Sequence, residues 1–442
     1  MSEDTKTPEP EAVEQIKTIN LHGPINSTGM GTHFYNWVMA LVPMMVQRGI
    51  NACLVPKNGA ISREEFATDQ PPAGDLAILM EALEQQAKMT HIPDIGVMCW
   101  HPHQLGEFAA KVRIGYTVFE TTDLRPEEMH HLKQCDFIAI PTTWHKNVLV
   151  KLGFDAEQIL VWPEGVDHKI FMPIPLEARL DQANRGPLAD IDCFTFLNVG
   201  KFEKRKGTPL LIEAFGQMAD TIQDPKQPVR LLLSCYNPFI DQPRGQWQKI
   251  IATTLAEAGF TQGEVDQQRH LVRFPHSTNP NFRIDLVGGW LQSKNDVVML
   301  YRAADAGVFP YCAEGWNLPL MEAMACGLPC AATYYSGPTE FLTKKGPDRP
   351  YRGSPDTDIF VPLTEGREAV ARDNIFFSGD RGNWFQVDQN HLVEKMTELM
   401  EMPMGVFRNM GENAASKIRT NWTWQKAART ALDSMIEKGL MR

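Results

Sequence analysis

Two glutamates eight positions apart, Glu314 and Glu322, stand in the stretch CAEGWNLPLMEAMACGLPC, which is otherwise Gly, Asn, Pro and apolar residues. A carboxylate in such surroundings is costly to bury unless hydrogen bonds satisfy it. The flanking signals place both groups. AGVFPY (306–311) reads as a short buried strand, Asn317 suits a helix N-cap, Pro319 the first turn and Gly327 the C-terminal stop. Glu314 then lies on a strand-to-helix loop, and Glu322 about one turn into a short helix. Open parallel sheets bind ligands where the carboxyl end of a strand feeds a helix, and unpaired N–H groups at that point suit phosphate. Carboxylates do not bind phosphate, so hydroxyls are their partners; the vicinal diol of a ribose gives one carboxylate two hydrogen bonds. Hydroxyls, phosphate and ribose together describe a nucleotide sugar.

A second constellation is cationic. VGKFEKRKG (199–207) gathers Lys201, Lys204, Arg205 and Lys206 between a strand and a helix, in a chain whose net charge is −11. That position favours an anion site over a solvated face. Lys201 and Lys206 are the expected pair, because two cations would stabilise charge developing on a departing nucleoside diphosphate. Lys204 and Arg205 are expected to face solvent. In the first half, HGPINSTGMGTHF offers Gly29 and Gly31, whose backbone N–H groups can approach a phosphate or sugar. It is not the dinucleotide fingerprint, since the third glycine position falls on Phe34, and it lacks the Lys-Ser/Thr of a P-loop.

Three acceptor-side candidates remain. His33 opens the helix after the glycine loop and serves either as a cap or as an acceptor contact. His101, in CWHPHQ, follows a strand and faces either the cleft or the surface. Glu120, in GYTVFETTDL, follows another strand and is a candidate base or hydroxyl ligand, or else a helix N-terminal charge. No metal is expected: His101 and His103 lack a third ligand, and nothing completes a site with Cys326 and Cys330.

The elements that must position these groups alternate along the chain. Strand-like and helix-like runs succeed one another over residues 18–173, then again over 191–415, with a Pro-rich, polar linker at 174–190. Such alternation predicts parallel sheets covered by helices on both faces. Two tandem series predict two Rossmann-like α/β domains facing across a cleft. Residues 345–382 read as irregular. Residues 416–442 read as one amphipathic C-terminal helix, with Trp422 and Trp424 as core contacts. The acidic, Pro-containing start, 1–17, reads as a disordered tail and not as a targeting peptide. WVMALVPMMV (37–46) is too short for a membrane span and contains Pro43. Eight scattered cysteines without a CxxC read as buried thiols in a reducing compartment. The expectation is a cytoplasmic protein that does not coat nucleic acid or lipid nonspecifically.

In this order the motifs resemble the retaining, family-4 class of GT-B glycosyltransferases over roughly residues 18–440. The opening stretch looks like that family's E-x7-E motif followed by EAMACGLP, supported by VGKFEKRKG, by AAD before the motif strand and by GVDHKIFMP at the domain junction. The resemblance implies the GT-B fold, with the C-terminal helix crossing back to the N-terminal domain. It further implies that Glu322 binds the ribose diol and Glu314 the hydroxyls of the transferred sugar. The backbone N–H groups of Gly315, Trp316, Asn317 and Leu318 would position sugar and diphosphate, and Lys201 and Lys206 would neutralise the leaving group. The sequence departs from the family in two places. Lys201 stands where an Arg is common, which removes bidentate phosphate gripping, and Glu120 stands where many members carry a His. The implied reaction moves a hexose-like sugar, with retention and without metal or cofactor, from a nucleoside-diphosphate donor to a hydroxyl of a saccharide or small metabolite. A hydroxylated DNA base as acceptor and a non-catalytic nucleotide-sugar-binding protein are the alternatives; the acidic balance weighs against DNA. A nicotinamide oxidoreductase would need the glycine fingerprint that is missing.

Overall fold

A computed structural model describes residues 18–26, 28–57, 73–88, 91–175, 178, 181–288, 293–344, 353–373 and 376–441. The expected tail at 1–17 lies outside them, as does part of the linker. The first lobe is a six-stranded sheet of β1 (Thr18–Gly23), β2 (Asn51–Pro56), β3 (Ile95–Cys99), β4 (Val112–Tyr116), β5 (Phe137–Ile140) and β6 (Ile159–Val161). All its pairings are parallel, in the order β2-β1-β3-β4-β5-β6. Its helices include α1 (Gly29–Val46), α2 (Ala73–Lys88), α3 (Pro126–Leu132) and α4 (Thr143–Lys151). Near-continuous apolar runs such as IGVMC and FIAI form these strands because both sheet faces are covered.

The second lobe carries β7 (Phe194–Val199), β8 (Val229–Ser234), β9 (Val265–Asp266), β10 (Leu271–Pro275), β11 (Phe282–Val287), β12 (Ala306–Phe309), β13 (Cys330–Thr333) and β14 (Val361–Leu363). Their order is β14-β13-β12-β7-β8-β11-β10-β9, parallel except for the edge strands β10 and β9. Its main helices are α5 (Thr208–Thr221), α6 (Gln246–Glu257), α7 (Lys294–Ala303), α8 (Leu318–Ala325), α9 (Gln389–Glu401) and α10 (Met404–Asn421). The chain reverses its direction of strand addition at β7, which lies between β8 and β12, and in the first lobe at β1, between β2 and β3. Crevices at the carboxyl ends of such switch points are where open α/β sheets take ligands.

Two expectations need correction. Part of the stretch read as irregular is ordered: β14 lies in it, and β15 (Gly366–Val370) pairs antiparallel with β16 (Asn383–Val387) as a hairpin. The polar, exposed β15 hid the strand signal, since only a buried face stamps alternation on a sequence. The C-terminal segment is two helices and not one. α10 stops at Asn421, and Thr423 caps a new helix, α11 (Trp424–Glu437), by accepting from Lys426 N. α11 crosses back and buries Trp424, Ala428, Leu432 and Met435 in the first lobe's core beside Phe34, Trp37 and Leu41 of α1. Trp162, at the end of β6, donates to Ser434 Oγ at 2.6 Å.

Candidate active site

Glu314 sits on the loop after β12, with its N–H donating to Ser336 Oγ (2.9 Å) and its carbonyl accepting from Gly337 N (3.0 Å). Its side chain is 4% exposed. Lys206 Nζ lies 2.6 Å from Oε1, and Arg205 Nη1 donates to Oε2 at 2.9 Å. Burial opposes ionisation, but the charges of Lys206 and Arg205 prevail and hold the carboxyl below its ordinary value. Both cations come from the loop between β7 and α5, so β7 and β12, the switch-point neighbours, present opposite charges to one another.

Arg205 overturns the expectation of a solvent-facing group. It is 7% exposed and forms the hub of the site, reaching Glu314, Glu203 Oε2 (3.4 Å), Glu120 Oε1 (3.5 Å) and the Ala313 carbonyl (3.0 Å). Burial works against its charge, and Glu120, Glu314 and Glu203 more than offset it, pushing its pKa up. Lys201 is partly buried beside Glu203 Oε1 (3.4 Å), with its ammonium 4.7 Å from the centre of the Phe239 ring and 5.6 Å from that of Phe376. Burial lowers its pKa. Lys204 is exposed.

Glu322, on α8, is partly exposed and accepts from Tyr301 Oη at 2.9 Å. Desolvation pushes its carboxyl up to about 7, against the pull of that hydrogen bond and of Lys294. Between the two glutamates the chain turns tightly. Asn317 adopts a left-handed conformation (φ +73°) and caps α8 by accepting from Leu320 N at 3.1 Å. A non-glycine there is uncommon and marks a loop shaped by its surroundings. Gly315 is required by contact with the other lobe, since a Cβ on it would lie 1.9 Å from Val118 Cγ1. Trp316 points away into the core, where it meets Phe341 and Trp422. Leu318 packs against the cores of both lobes.

On the first lobe, Gly31 is a packing glycine. A Cβ there would lie 2.4 Å from the Asn26 carbonyl, and its N–H donates to Thr28 Oγ1. Gly29 opens α1 with space around it. His33 is buried, stacked on Tyr116 with ring centres 4.4 Å apart, and burial pushes it down to about 3. Thr28, not His33, caps α1. His101 is exposed, stacks on His103 and has its pKa lowered by desolvation while Glu120 pulls it up. The structure thus brings Glu120 together with Glu314 and Arg205, whereas His33 lies deeper.

Sequence reasoning missed several contributors. Arg205, Glu203 and Tyr301 were hidden because burial of a charge is decided by tertiary partners. Glu164 immediately precedes the junction motif and is 5% exposed, with His33 Nδ1 3.9 Å from its Oε1; burial, then Glu314 and Glu120, raise it to about 8. Its position just after β6 is the same signal that singled out Glu120. The β15–β16 hairpin joins the lobes: Trp384 Nε1 donates to the Glu120 carbonyl (2.8 Å), Asn383 N to Thr122 Oγ1 (2.8 Å) and Arg381 Nη2 to Glu128 Oε1 (2.8 Å). All eight cysteines are buried and none is in a disulfide. Among the described residues, no helix is long and apolar enough to cross a membrane.

Two facing α/β lobes with a charged cleft at their switch points are the GT-B glycosyltransferase fold. HepE from Anabaena, solved in complex with UDP and glucose, superposes with a TM-score of 0.60 at 15% identity, covering 96% of this chain and 100% of that one. Sucrose-phosphate synthase from Thermosynechococcus elongatus gives 0.60 at 16% identity, over 96% and 99%. The family enters through the second lobe. Residues 193–371, within that lobe, match the model described as Glycosyl transferases group 1. A D-inositol 3-phosphate glycosyltransferase of Pseudarthrobacter chlorophenolicus is 26% identical over 185 residues, 42% of this chain and 36% of the relative. The match therefore spans little more than a third of that curated relative's length.

Proposed function

We propose that the protein transfers a hexose-like sugar, with retention, from a nucleoside-diphosphate donor to an acceptor hydroxyl in a saccharide or small metabolite. The carrying observation is the ion cluster of Glu314, Lys206 and Arg205, buried at the switch point of the second lobe and facing Glu120 of the first. The group 1 match and the UDP-bound structural neighbour support the same reading.

In this reading, Glu314 stays ionised and accepts hydroxyls of the sugar near the reacting carbon. Lys206, already at the cleft, shares its ammonium between Glu314 and the departing diphosphate, with Lys201 as the second cation. Charge developing on the leaving oxygen is met by fixed cations in a site of low dielectric, where they act most strongly. Attack from the face of departure lets the leaving phosphate oxygen take the acceptor proton, so no strong protein base is needed. Glu322, held by Tyr301, receives the ribose diol. The N–H groups of 315–318 orient sugar and diphosphate, and Gly29, with open space around it, lines the opposite wall. Glu120 and His101 address the acceptor. The reaction as proposed uses neither metal nor cofactor and takes place in the cytoplasm.

Thermal unfolding with UDP-, GDP- and ADP-glucose, followed by assay of donor consumption, tests this. A donor that binds only the folded chain raises its apparent stability, by about 2.7 kcal/mol at a hundredfold excess over Kd. One of the three should shift the transition and be consumed. No shift and no consumption with any of them would overturn the proposal.

A further inference from the structure

Glu164 and His33 are buried polar side chains that the reading above leaves without work. His33 Nδ1 is buried without a hydrogen-bond partner, and the Glu164 carboxyl, whose oxygens are not fully sealed, lies 3.9 Å from it. Leaving a buried polar group unsatisfied costs about 1–3 kcal/mol. That cost falls on His33 Nδ1, so a polar ring at this position is poorly explained by packing alone. Both groups are held firmly. His33 is clamped between Tyr116 and the edge of Trp424. Glu164 is fixed by the neighbouring backbone, where a Cβ on Gly165 would lie 2.5 Å from Trp424 N and Val166 N donates to the Trp422 carbonyl at 2.8 Å.

His33 Nδ1 and Glu164 Oε1, 3.9 Å apart, stand too far apart to bond each other, yet close enough to share one oxygen atom. We infer that His33 and Glu164 form a socket for a hydroxyl of the acceptor, and that the acceptor is a neutral, hydroxyl-rich molecule at this end. This rests on the transferase reading above. Glu164 donates its carboxyl proton to the hydroxyl oxygen, and His33 Nδ1 accepts the hydroxyl proton. An anionic group is disfavoured because the socket holds no cation of its own: His33 is neutral, and Glu164 is kept neutral by burial and by the charges of Glu314 and Glu120. The other titratable groups facing it are Tyr116 of β4 and Cys99 of β3, both pushed up by burial and by Glu164 itself, so both are uncharged at neutral pH. Arg205 and Lys206 are engaged with Glu314. A neutral Glu164 makes the socket competent below about pH 8 and incompetent above it.

The test uses the full chain, the nucleotide sugar that gives the largest thermal shift, and glycerol, D-glucose and myo-inositol as acceptor probes. Donor hydrolysis by water is followed beside transfer. Glu164→Ala should lower transfer kcat/KM for a polyol about 10- to 100-fold, a larger factor than its effect on hydrolysis. Glu164→Gln, which keeps a donor and an acceptor, should recover much of that loss, and its profile should lack the wild-type fall above pH 8. In the wild type, the infrared carbonyl stretch of a protonated carboxyl, absent from Glu164→Gln, should shift on adding glycerol to the donor-loaded protein. Equal losses of transfer and hydrolysis in Glu164→Ala, or a Glu164→Gln profile that keeps the alkaline fall, would overturn the socket while leaving the transferase reading intact. If Glu164→Ala does not fold, the Gln profile and the infrared band decide. A wild type that neither binds nor consumes any nucleotide sugar would sink both, and is recognised before any variant is made.

Discussion

Glu314 and Glu164 come from different lobes, feel each other's charge and are both about 95% buried. Their chemistry is opposite. Glu314 has Lys206 and Arg205 within 3 Å and is held ionised. Glu164 has a neutral imidazole at 3.9 Å and is pushed up to about 8. Burial is the same for both, so the difference lies in the partner each loop supplies. The β7–α5 loop delivers two cations to Glu314, whereas the α1 segment beside Glu164 delivers His33 and aromatic rings. One side of the cleft thus holds an ionised carboxylate, and the other a neutral one.

The severest challenge to this contrast is Arg205→Met. It leaves Glu314, Glu203 and Glu120 without their shared cation, and removing one partner of a buried pair costs about 3–5 kcal/mol. Urea unfolding should show that loss as a lower midpoint. An unchanged midpoint would mean that Lys206 and Lys201 suffice to hold the carboxylates. Next come Glu314→Gln and Lys206→Ala, each expected to lower turnover about 100-fold, the scale of losing one aimed electrostatic contact. Wild-type rates in either would remove that residue from the reaction.

A gentler probe is the pH dependence of folding. Glu164 titrates near 4.5 when unfolded and near 8 when folded. Between those values the native chain keeps a proton that the unfolded chain releases, so stability falls as pH rises through the window, by about 1.4 kcal/mol per pH unit. Glu164→Gln should lack this slope, and Glu314→Gln should keep it. Parallel curves for wild type and Glu164→Gln in thermal unfolding at pH 5 to 8.5 would break the comparison. The smallest effect concerns Glu322. With its carboxyl near 7, donor affinity should rise up to about tenfold from pH 6 to pH 8. Tyr301→Phe, which removes a hydrogen bond that favours the ionised form, should move that rise to higher pH. Isothermal titration across the range reads both.

Much of the scaffold was legible in the sequence because parallel strands buried on both faces write continuous apolar runs, such as FTFLNV and VRLLLS. The loop carrying Glu314 was legible because Asn317, Pro319 and Gly327 punctuate it. Arg205 was misread for a physical reason: three basic residues in a row, 204–206, look like a solvated face, and only the carboxylates brought from 120, 203 and 314 reveal which one turns inward. Glu322 was singled out, but its hydroxyl partner Tyr301, on the preceding helix, leaves no local trace. The break between α10 and α11 was hidden in a stretch whose amphipathic period runs on through it, although Thr423 is a recognisable cap. The hairpin's links to the other lobe, made by Trp384 and Arg381, escaped because they join residues more than 250 positions apart and leave no local pattern.

The return of the chain at Trp422 has a mechanical meaning. The outgoing connection at Val166 and the incoming one at Thr423 run side by side, bridged by a backbone hydrogen bond. With two adjacent crossings in register, sliding or twisting one half past the other would tear that bridge. The last helix is also a wall of the half it returns to, so a gene fragment ending before it would encode a first half with its interior open to water.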